Sequence, residues 1–194
     1  EDKIQKAIEA LIGQNSALAK EIMEADNEVD REQKKIENIC FNLLMQQQPV
    51  ARDLRVISAA MKMVTDMERI GDHAADISEM TVMMASEPYV VDLSDIKKMA
   101  SETVLMLIRS IEAYVEKDML KAQSVIDHDD IVDELFNKVK QELIEMIRKN
   151  PAVSEQAADM LMVAKYFERI GDHATNLAEL IIFALDDKKN TMQN

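Results

Sequence analysis

The heptapeptide Glu-Arg-Ile-Gly-Asp-His-Ala occurs twice in this chain, at residues 68–74 and, without any change, at residues 168–174. Identity over seven consecutive positions, one of them a glycine, indicates two copies of one structural unit. Further matches between the copies lie at offsets of 103, 102 and 100 residues: Asp26 with Asp129, Pro49 with Pro151, and Glu79 with Glu179. Small changes of offset belong in turns, so both units are expected to contain the same helices joined by short loops.

Each unit is expected to form three helices. Only three glycines and three prolines occur in 194 residues, and 47% of the residues are hydrophobic, which favours long uninterrupted helices. The prolines, the link at 87–92 and the candidate N-caps Asn15 and Asp118 mark the boundaries. The resulting helices are 2–12, 16–48, 50–86, 93–116, 119–149 and 152–187. By symmetry with the helix that begins near Leu93, the first helix is expected to begin about ten residues before Glu1.

Antiparallel helices joined by short turns pack as up-down-up bundles. We therefore predict an all-α fold of two tandem, pseudo-repeated three-helix bundles with six helices in total. The first bundle is assigned to residues 1–88, with a truncated first helix, and the second to residues 89–194. The fifteen methionines and the single cysteine, Cys40, are interpreted as apolar core residues rather than as a metal box and a nucleophile.

The formal net charge of −14 at pH 7 disfavours phosphate backbones and anionic lipid surfaces, and it favours cations or basic proteins as partners. No stretch approaches the roughly 18 apolar residues of a membrane span, and no signal-peptide pattern opens the chain. A lone cysteine suits a reducing compartment. We expect a cytoplasmic protein that binds no nucleic acid and does not insert into a membrane.

Acidic residues recur at a spacing of four along the edge of the predicted core. On helix 50–86, Glu68, Asp72 and Asp76 form a row beside an apolar stripe. That stripe consists of Val56, Ala60, Met63, Met67, Ala74 and Ile77. The preceding helix carries Asp26 and Asp30 beside a second stripe, formed by Leu18, Val29, Ile36, Cys40 and Leu43. The two acidic rows can therefore converge at a groove between neighbouring helices.

The second unit repeats this pattern, with Asn176 in the place of Asp76. Like charges at i and i+4 destabilise a helix by a few tenths of a kcal/mol, and converging pairs add to the repulsion. A multivalent cation would offset it, and oxygen ligands suit Mg, Ca, Mn, Fe or Zn, with room for more than one ion per site. The predicted metal ligands are Asp26, Asp30, Glu68, Asp72, Asp76, Asp129, Asp133, Glu168 and Asp172. The alternative is a solvated acidic face.

Two other repeated residues have different roles. Gly71 and Gly171 stand in helix interiors at a cost of roughly 1 kcal/mol each relative to alanine, which indicates close approach of a neighbouring helix or a ligand. His73 and His173 project about 100° away from the acidic rows and are assigned to the surface or to hydrogen bonds between helices.

The patterns of several enzyme classes are missing from the sequence. A di-iron bundle would need Glu-x-x-His pairs, whereas Ile70 and Ile170 precede the two histidines by three residues. We find no glycine-rich phosphate loop, Ser/His/Asp arrangement or Cys/His zinc spacing. A protein without catalytic residues is therefore expected, and a metal-dependent phosphatase is the enzymatic alternative.

Three stretches resemble the PhoU family of phosphate-uptake regulators: Gln46–Arg55 (QQQPVARDLR), Met67–Ala74 (MERIGDHA) and Phe167–Glu179 (FERIGDHATNLAE). The resemblance runs over the whole chain. It implies tandem three-helix bundles whose surface Glu/Asp-x-x-x-Asp motifs hold clusters of iron, zinc or other metals. Here those motifs are Asp26/Asp30 with Glu68/Asp72, and Asp129/Asp133 with Glu168/Asp172.

The resemblance also implies a regulatory role. Members of the family damp phosphate uptake and phosphate-starvation gene expression by linking a phosphate ABC transporter to a sensor histidine kinase, commonly as cytoplasmic homodimers. The alternative is a soluble domain of a sodium/phosphate cotransporter, since such transporters can carry a similar domain. One departure is that the second unit has Ala152-Val-Ser-Glu155 where the first has Arg52-Asp-Leu-Arg55, so contacts of those arginines are expected in one unit alone.

Overall fold

The structure is a computed structural model that describes residues 2–24, 27–46 and 49–186. The described residues form helices and no strand: α1 (Asp2–Ile12), α2 (Ser16–Glu24), α3 (Asn27–Gln46), α4 (Ala51–Met84), α5 (Ser94–Glu116), α6 (Met119–Lys149) and α7 (Ser154–Leu185), with a 3₁₀ turn at Pro151–Val153 before α7. The predicted all-α fold is confirmed. Helices α2 and α3 correspond to the predicted helix 16–48, of which residues 25, 26, 47 and 48 lie outside the described ranges.

The helix starts follow local side-chain chemistry. The Asp118 carboxylate accepts hydrogen bonds from the backbone N–H groups of Leu120 and Lys121, at 2.9 and 3.0 Å. The Asn15 side chain accepts from Leu18 N–H at 3.1 Å. Both N-cap predictions are confirmed, because these bonds satisfy donors that have no partner within the first turn of a helix.

Helices α4 and α7, which carry the two heptapeptides, pack against each other in antiparallel orientation. Near the start of α4, Arg55 donates to the backbone carbonyl of Asp186, just beyond the end of α7, and lies 5.3 Å from the centroid of the Phe183 ring. Farther along α4, His73 stacks on Tyr166 of α7 with ring centroids 5.6 Å apart. Helices α1, α2 and α3 pack on α4, while α5 and α6 pack on α7. Most of the buried apolar side chains form one cluster that includes residues from both units.

Parts of the two predicted apolar stripes in the first unit are not buried. Val56 and Met67 on α4 are 45% and 47% exposed, and Ile36 and Leu43 on α3 are each 39% exposed. Their assignment to the core was therefore wrong. The physical reason is that periodicity marks the apolar side of a helix, whereas burial requires a neighbouring helix over that side, and the described helices leave these positions partly uncovered. Cys40, in contrast, is buried as predicted.

Both helical glycines lie where a neighbouring helix crosses closely. A Cβ atom at Gly71 would lie 3.4 Å from a methyl group of Val29 on α3, and one at Gly171 would lie 3.5 Å from Val132 on α6 and from an oxygen of Asp129. These are ordinary contact distances, so a methyl group would fit at either position. The crossings explain why small residues stand there, although neither position requires glycine.

The segment between the units is held from both sides. Gln14 donates to the carbonyl of Glu87 at 2.9 Å, and the Tyr89 hydroxyl donates to the carbonyl of Leu11 at 2.8 Å. From the second unit, Gln156 accepts from the Val90 N–H at 2.6 Å and donates to the carbonyl of Pro88 at 3.2 Å. Burial raises the pKa of the Tyr89 hydroxyl to about 12, so it remains a hydrogen-bond donor at physiological pH.

Replacing Gly71 with alanine is expected to stabilise the protein. The substitution removes a helix-interior glycine, worth about 1 kcal/mol, and the added methyl group meets Val29 at a contact distance. Thermal unfolding of chelator-treated protein should show Tm higher by about 2–4 °C. Gly13→Ala is the control: its Cβ would lie 3.2 Å from the carbonyl of Glu9, so no gain is expected. A lower Tm for Gly71→Ala would mean that α3 and α4 cannot accommodate the methyl group.

Candidate metal centre

The first acidic cluster consists of Asp30 on α3 with Glu68 and Asp72 on α4. One carboxylate oxygen from each of the three residues lies within 4.8 Å of the other two. All three side chains are partly buried, because they stand where α3 and α4 meet at the edge of the core. Oxygens that bind one Ca²⁺ ion lie about 2.3–2.6 Å from it, so two oxygens on opposite sides of the ion are about 5 Å apart. The separations in this cluster are therefore compatible with a shared ion.

Arg69 supplies part of the countercharge at the first cluster. Its Nη1 lies 3.1 Å from Asp72 and its Nε lies 3.5 Å from Glu68, so one guanidinium group bridges two of the three carboxylates. The Arg69 side chain is 56% exposed, however, and an exposed ion pair contributes at most about 1 kcal/mol. This arginine therefore offsets only part of the repulsion among the three acids.

The second acidic cluster consists of Asp129 and Asp133 on α6 with Glu168 and Asp172 on α7. The Asp129 carboxylate lies against the α7 backbone at Gly171, and its pKa is affected by the charges of Asp133 and Asp172, so the structure brings the two helices' acids near each other. Within the described ranges, no three ligand atoms of this cluster come as close together as those of the first. Lys165 forms an ion pair with Glu168 at 2.5 Å.

Burial, followed by repulsion between carboxylates, raises the pKa values of two carboxyl groups in the second cluster. The pKa of Asp129 rises from 3.8 to about 6, first because of burial and then because of the charges of Asp133 and Asp172. Burial and the charge of Glu168 also raise the pKa of Asp172. Both effects disfavour the ionised form of the carboxyl groups, and a bound cation would favour that form. The residues present therefore suit a multivalent cation.

Two of the nine predicted ligands are not counted in either cluster. Asp26 lies outside the described residues. Asp76 is one helical turn beyond Asp72, and its carboxylate lies 3.0 Å from Nδ1 of His73 rather than in the group of three acids. The assignment of all nine residues as metal ligands stays a prediction.

The histidines of the two heptapeptides lie on a different face from the acids, between α4 and α7. His73 is 9% exposed, and its ring centroid is 5.7 Å from that of His173. His173 Nδ1 lies 2.7 Å from a carboxylate oxygen of Asp66, which also accepts from Asn176 at 3.2 Å. These contacts agree with the predicted role of the histidines between helices. The sequence analysis missed Asp66 and Tyr166, because neither is part of a repeated motif.

The donor set is chemically uniform. The candidate ligands described in both clusters are carboxylates, which suit hard or borderline ions such as Mg, Ca, Mn, Fe and Zn, and no thiolate lies among them to select a soft ion. The first cluster has three carboxylates and one exposed cationic side chain. The second has four carboxylates and one lysine. Neither cluster contains a nucleophile paired with a general base.

A profile of the PhoU domain matches residues 1–81 and 96–181, once in each unit. The chain is 37% identical over 190 residues to the phosphate-specific transport system accessory protein PhoU homolog of Clostridium acetobutylicum, covering 97% of this chain and 87% of that protein. It is also 37% identical over 169 residues to the Aquifex aeolicus homolog, covering 87% and 76%.

The fold matches a solved structure. The crystal structure of PhoU from Pseudomonas aeruginosa superposes with a TM-score of 0.92 at 29% identity, covering 94% of this chain and 88% of that one. The helices and the two acidic clusters define a tandem helical-bundle protein with duplicated candidate cation sites. The chain belongs to the PhoU domain family, which confirms the resemblance seen in the sequence. None of the helices in the described ranges has the length and apolarity needed to cross a bilayer.

Replacing Asp129 with asparagine is expected to stabilise the metal-free protein in a pH-dependent manner. The pKa of Asp129 is higher in the folded protein than in the unfolded chain, so its contribution becomes more unfavourable as pH rises from 3.8 to about 6. The gain in Tm from Asp129→Asn should therefore be largest above pH 6 and should shrink as pH falls towards 4.

Calorimetry of chelator-treated protein at pH 7.5, 6 and 5 measures this effect. Asp130→Asn, on the exposed side of the same helix, is the matched control and should raise Tm much less, because the charge of Asp130 is the smallest of the causes that raise the pKa of Asp129. A Tm gain from Asp129→Asn that stayed constant between pH 5 and 7.5 would contradict the assignment of the raised pKa to this residue.

Proposed function

We propose that this protein is a non-enzymatic accessory protein of a phosphate-specific transport system. The observation that carries the proposal is the 37% identity, over 97% of the chain, to a relative named as such an accessory protein. The described residues support an adaptor, because they present long helical surfaces and paired acidic clusters to partners.

The finer proposal is that the protein lowers phosphate uptake and phosphate-starvation signalling by linking a phosphate ABC transporter to a sensor histidine kinase in the cytoplasm. A homodimer would present two copies of each binding surface to these partners. The strongly acidic character of the chain supports basic surfaces on its protein partners.

Metal binding is the second part of the proposal. We assign one or more divalent or trivalent ions to each acidic cluster, with iron or zinc expected first and Mg, Mn or Ca as alternatives. Support comes from the three converging carboxylates of the first cluster and from the raised pKa values in the second. The ion would supply countercharge across the α3–α4 and α6–α7 contacts, and hence stability, rather than chemistry on a substrate.

The role in transport predicts a change in uptake. In a bacterium lacking its own PhoU homolog, expression of this chain should lower the uptake of radiolabelled phosphate and the output of a phosphate-starvation reporter. Cross-linking in the same cells should capture the ATP-binding subunit of the phosphate ABC transporter and the kinase. Unchanged uptake and capture of neither partner would contradict the adaptor role, and capture of a sodium-coupled phosphate carrier would favour the alternative of a cotransporter domain.

The metal assignment predicts a loss of bound ion in an Asp72→Ala/Asp172→Ala variant. Elemental analysis of protein purified without chelator should find metal in the unmodified chain and much less in the variant, and metal-loaded protein should have the higher Tm. Glu112→Ala/Glu116→Ala is the matched control, because it removes another i, i+4 acidic pair that is bound to Lys121. Equal metal content in all three proteins would contradict the site.

A further inference from the structure

The two acidic clusters differ in one nearby residue that the identical heptapeptides do not share. Three positions before the repeated glutamate, the first unit has Thr65 and the second has Lys165. The Thr65 hydroxyl donates to the carbonyl of Met61 at 3.2 Å and brings no charge to its cluster. The Lys165 ammonium lies 2.5 Å from Glu168, one of the predicted ligands. Among the described residues, the second cluster therefore has a lysine counter-ion at a position where the first cluster has an uncharged residue.

The surroundings of Lys165 hold its ammonium at the cluster. Its Nζ lies 5.3 Å from the centroid of the Phe136 ring, within the range of a cation–π interaction. The side chain of Glu168 is only 14% exposed, so water screens this ion pair less than an exposed one. At the position equivalent to Phe136, the first unit has Gln33, which hydrogen-bonds to Glu37. Both elements of the lysine's site are thus specific to the second unit.

The cation of the first cluster is the heptapeptide arginine, and it is more exposed than the lysine. Arg69 bridges Glu68 and Asp72 from the solvent side, with 56% of its side chain exposed, and can move into water at little cost. Lys165 is less exposed, at 36%. Its partner Glu168, 14% exposed, is buried to nearly the same degree as Glu68, which is 19% exposed. The clusters therefore differ in the exposure of the cation rather than in that of the glutamate.

The ion pair changes what a metal ion would gain at this cluster. Lys165 already stabilises the negative charge of Glu168, one of the four acids of the cluster. A metal ion entering the second cluster gains less from neutralising an acid that already has a partner, and it meets the repulsion of an ammonium group.

We propose that Lys165 is an internal counter-ion that makes the second cluster the weaker of the two metal sites. It must leave Glu168 before that carboxylate can bind an ion. This inference rests on the proposed function, namely that the clusters bind metal. The two clusters would then bind metal at different concentrations of free ion, the first cluster at the lower one. The protein would therefore respond to rising metal concentration in two steps.

Titration of the chelator-treated full chain with Mn²⁺ tests the proposal, by calorimetry and by the electron paramagnetic resonance signal of free Mn²⁺. The unmodified chain should show a tighter and a weaker class of sites. In an Asp72→Ala background, which silences the first cluster, the weaker class should remain. Adding Lys165→Met should then lower the Kd of this weaker class for Mn²⁺ by about threefold to tenfold, the range expected when a partly buried ion pair is removed.

Lys140→Met is the matched control. Its ammonium lies 5.5 Å from the same Phe136 ring but donates to Asn137 rather than to a carboxylate, so its removal changes the net charge equally without freeing Glu168. It should leave the Mn²⁺ affinity nearly unchanged.

The converse variant Thr65→Lys, made in the otherwise unmodified chain, should weaken Mn²⁺ binding at the tighter class of sites. Lys165→Thr, which installs the residue of the first unit, should reproduce the effect of Lys165→Met and serves if the methionine variant fails to fold.

The outcomes separate this inference from the function on which it rests. Equal Mn²⁺ affinities with and without Lys165, while Asp72→Ala still removes the tighter class, would overturn the role of the lysine and leave metal binding intact. Failure of the unmodified chain to bind Mn²⁺ or any of the other assigned ions would overturn both. Equal tightening by Lys140→Met and Lys165→Met would show a general charge effect, which also overturns the inference.

Discussion

The antiparallel contact between α4 and α7 is the interaction on which the rest of the structure depends. These two helices carry the repeated heptapeptide, and each uses two of its faces at once. One face brings His73 and His173 together between the helices, with Asp66 and Tyr166 beside them. Another face brings Glu68 towards α3 and Asp172 towards α6. The 100° between successive helical residues lets one short peptide serve both purposes.

The same contact explains why most of the buried apolar side chains form a single cluster. Two three-helix bundles of this size would each have a small core, and a small core supplies little stability. Because α4 of the first unit packs against α7 of the second, the two units bury the surfaces at which these helices meet. Placing carboxylates together at the edges of that core costs free energy, as the raised pKa of Asp129 shows. The larger buried apolar area offsets that cost.

The helices were predictable because their signals are local. Asn15, Asp118 and the prolines act within a few residues, so the bounds derived from them agree closely with the structure. Burial was less predictable: Val56 and Met67 fit an apolar stripe, yet they are 45% and 47% exposed because burial depends on which helices pack over them. Periodicity indicates which side of a helix is apolar, but it does not indicate what packs on it.

In the candidate site too, features that depend on residue spacing along the helices were predictable, and features that depend on side-chain packing between helices were not. The row of Glu68 and Asp72 and its convergence with Asp30 of the preceding helix were predicted from spacing, and the structure places one carboxylate oxygen of each within 4.8 Å of the others. Asp76 has the same spacing, but its pairing with His73 depends on the side-chain conformation of the histidine between α4 and α7. The approach of Lys165 to Glu168 is an i, i+3 pair that sequence could have suggested. Its contact with Phe136 depends on the packing of α6 against α7.

The segment that joins the units also limits how they can move. Gln14 and Tyr89 tie it to the first unit, and Gln156 ties it to the second, so residues 87–90 are fastened at both ends. A free hinge would need these backbone groups to exchange their partners for water. A force that a binding partner applies to one unit would therefore be transmitted to the other. The two units would move together rather than independently.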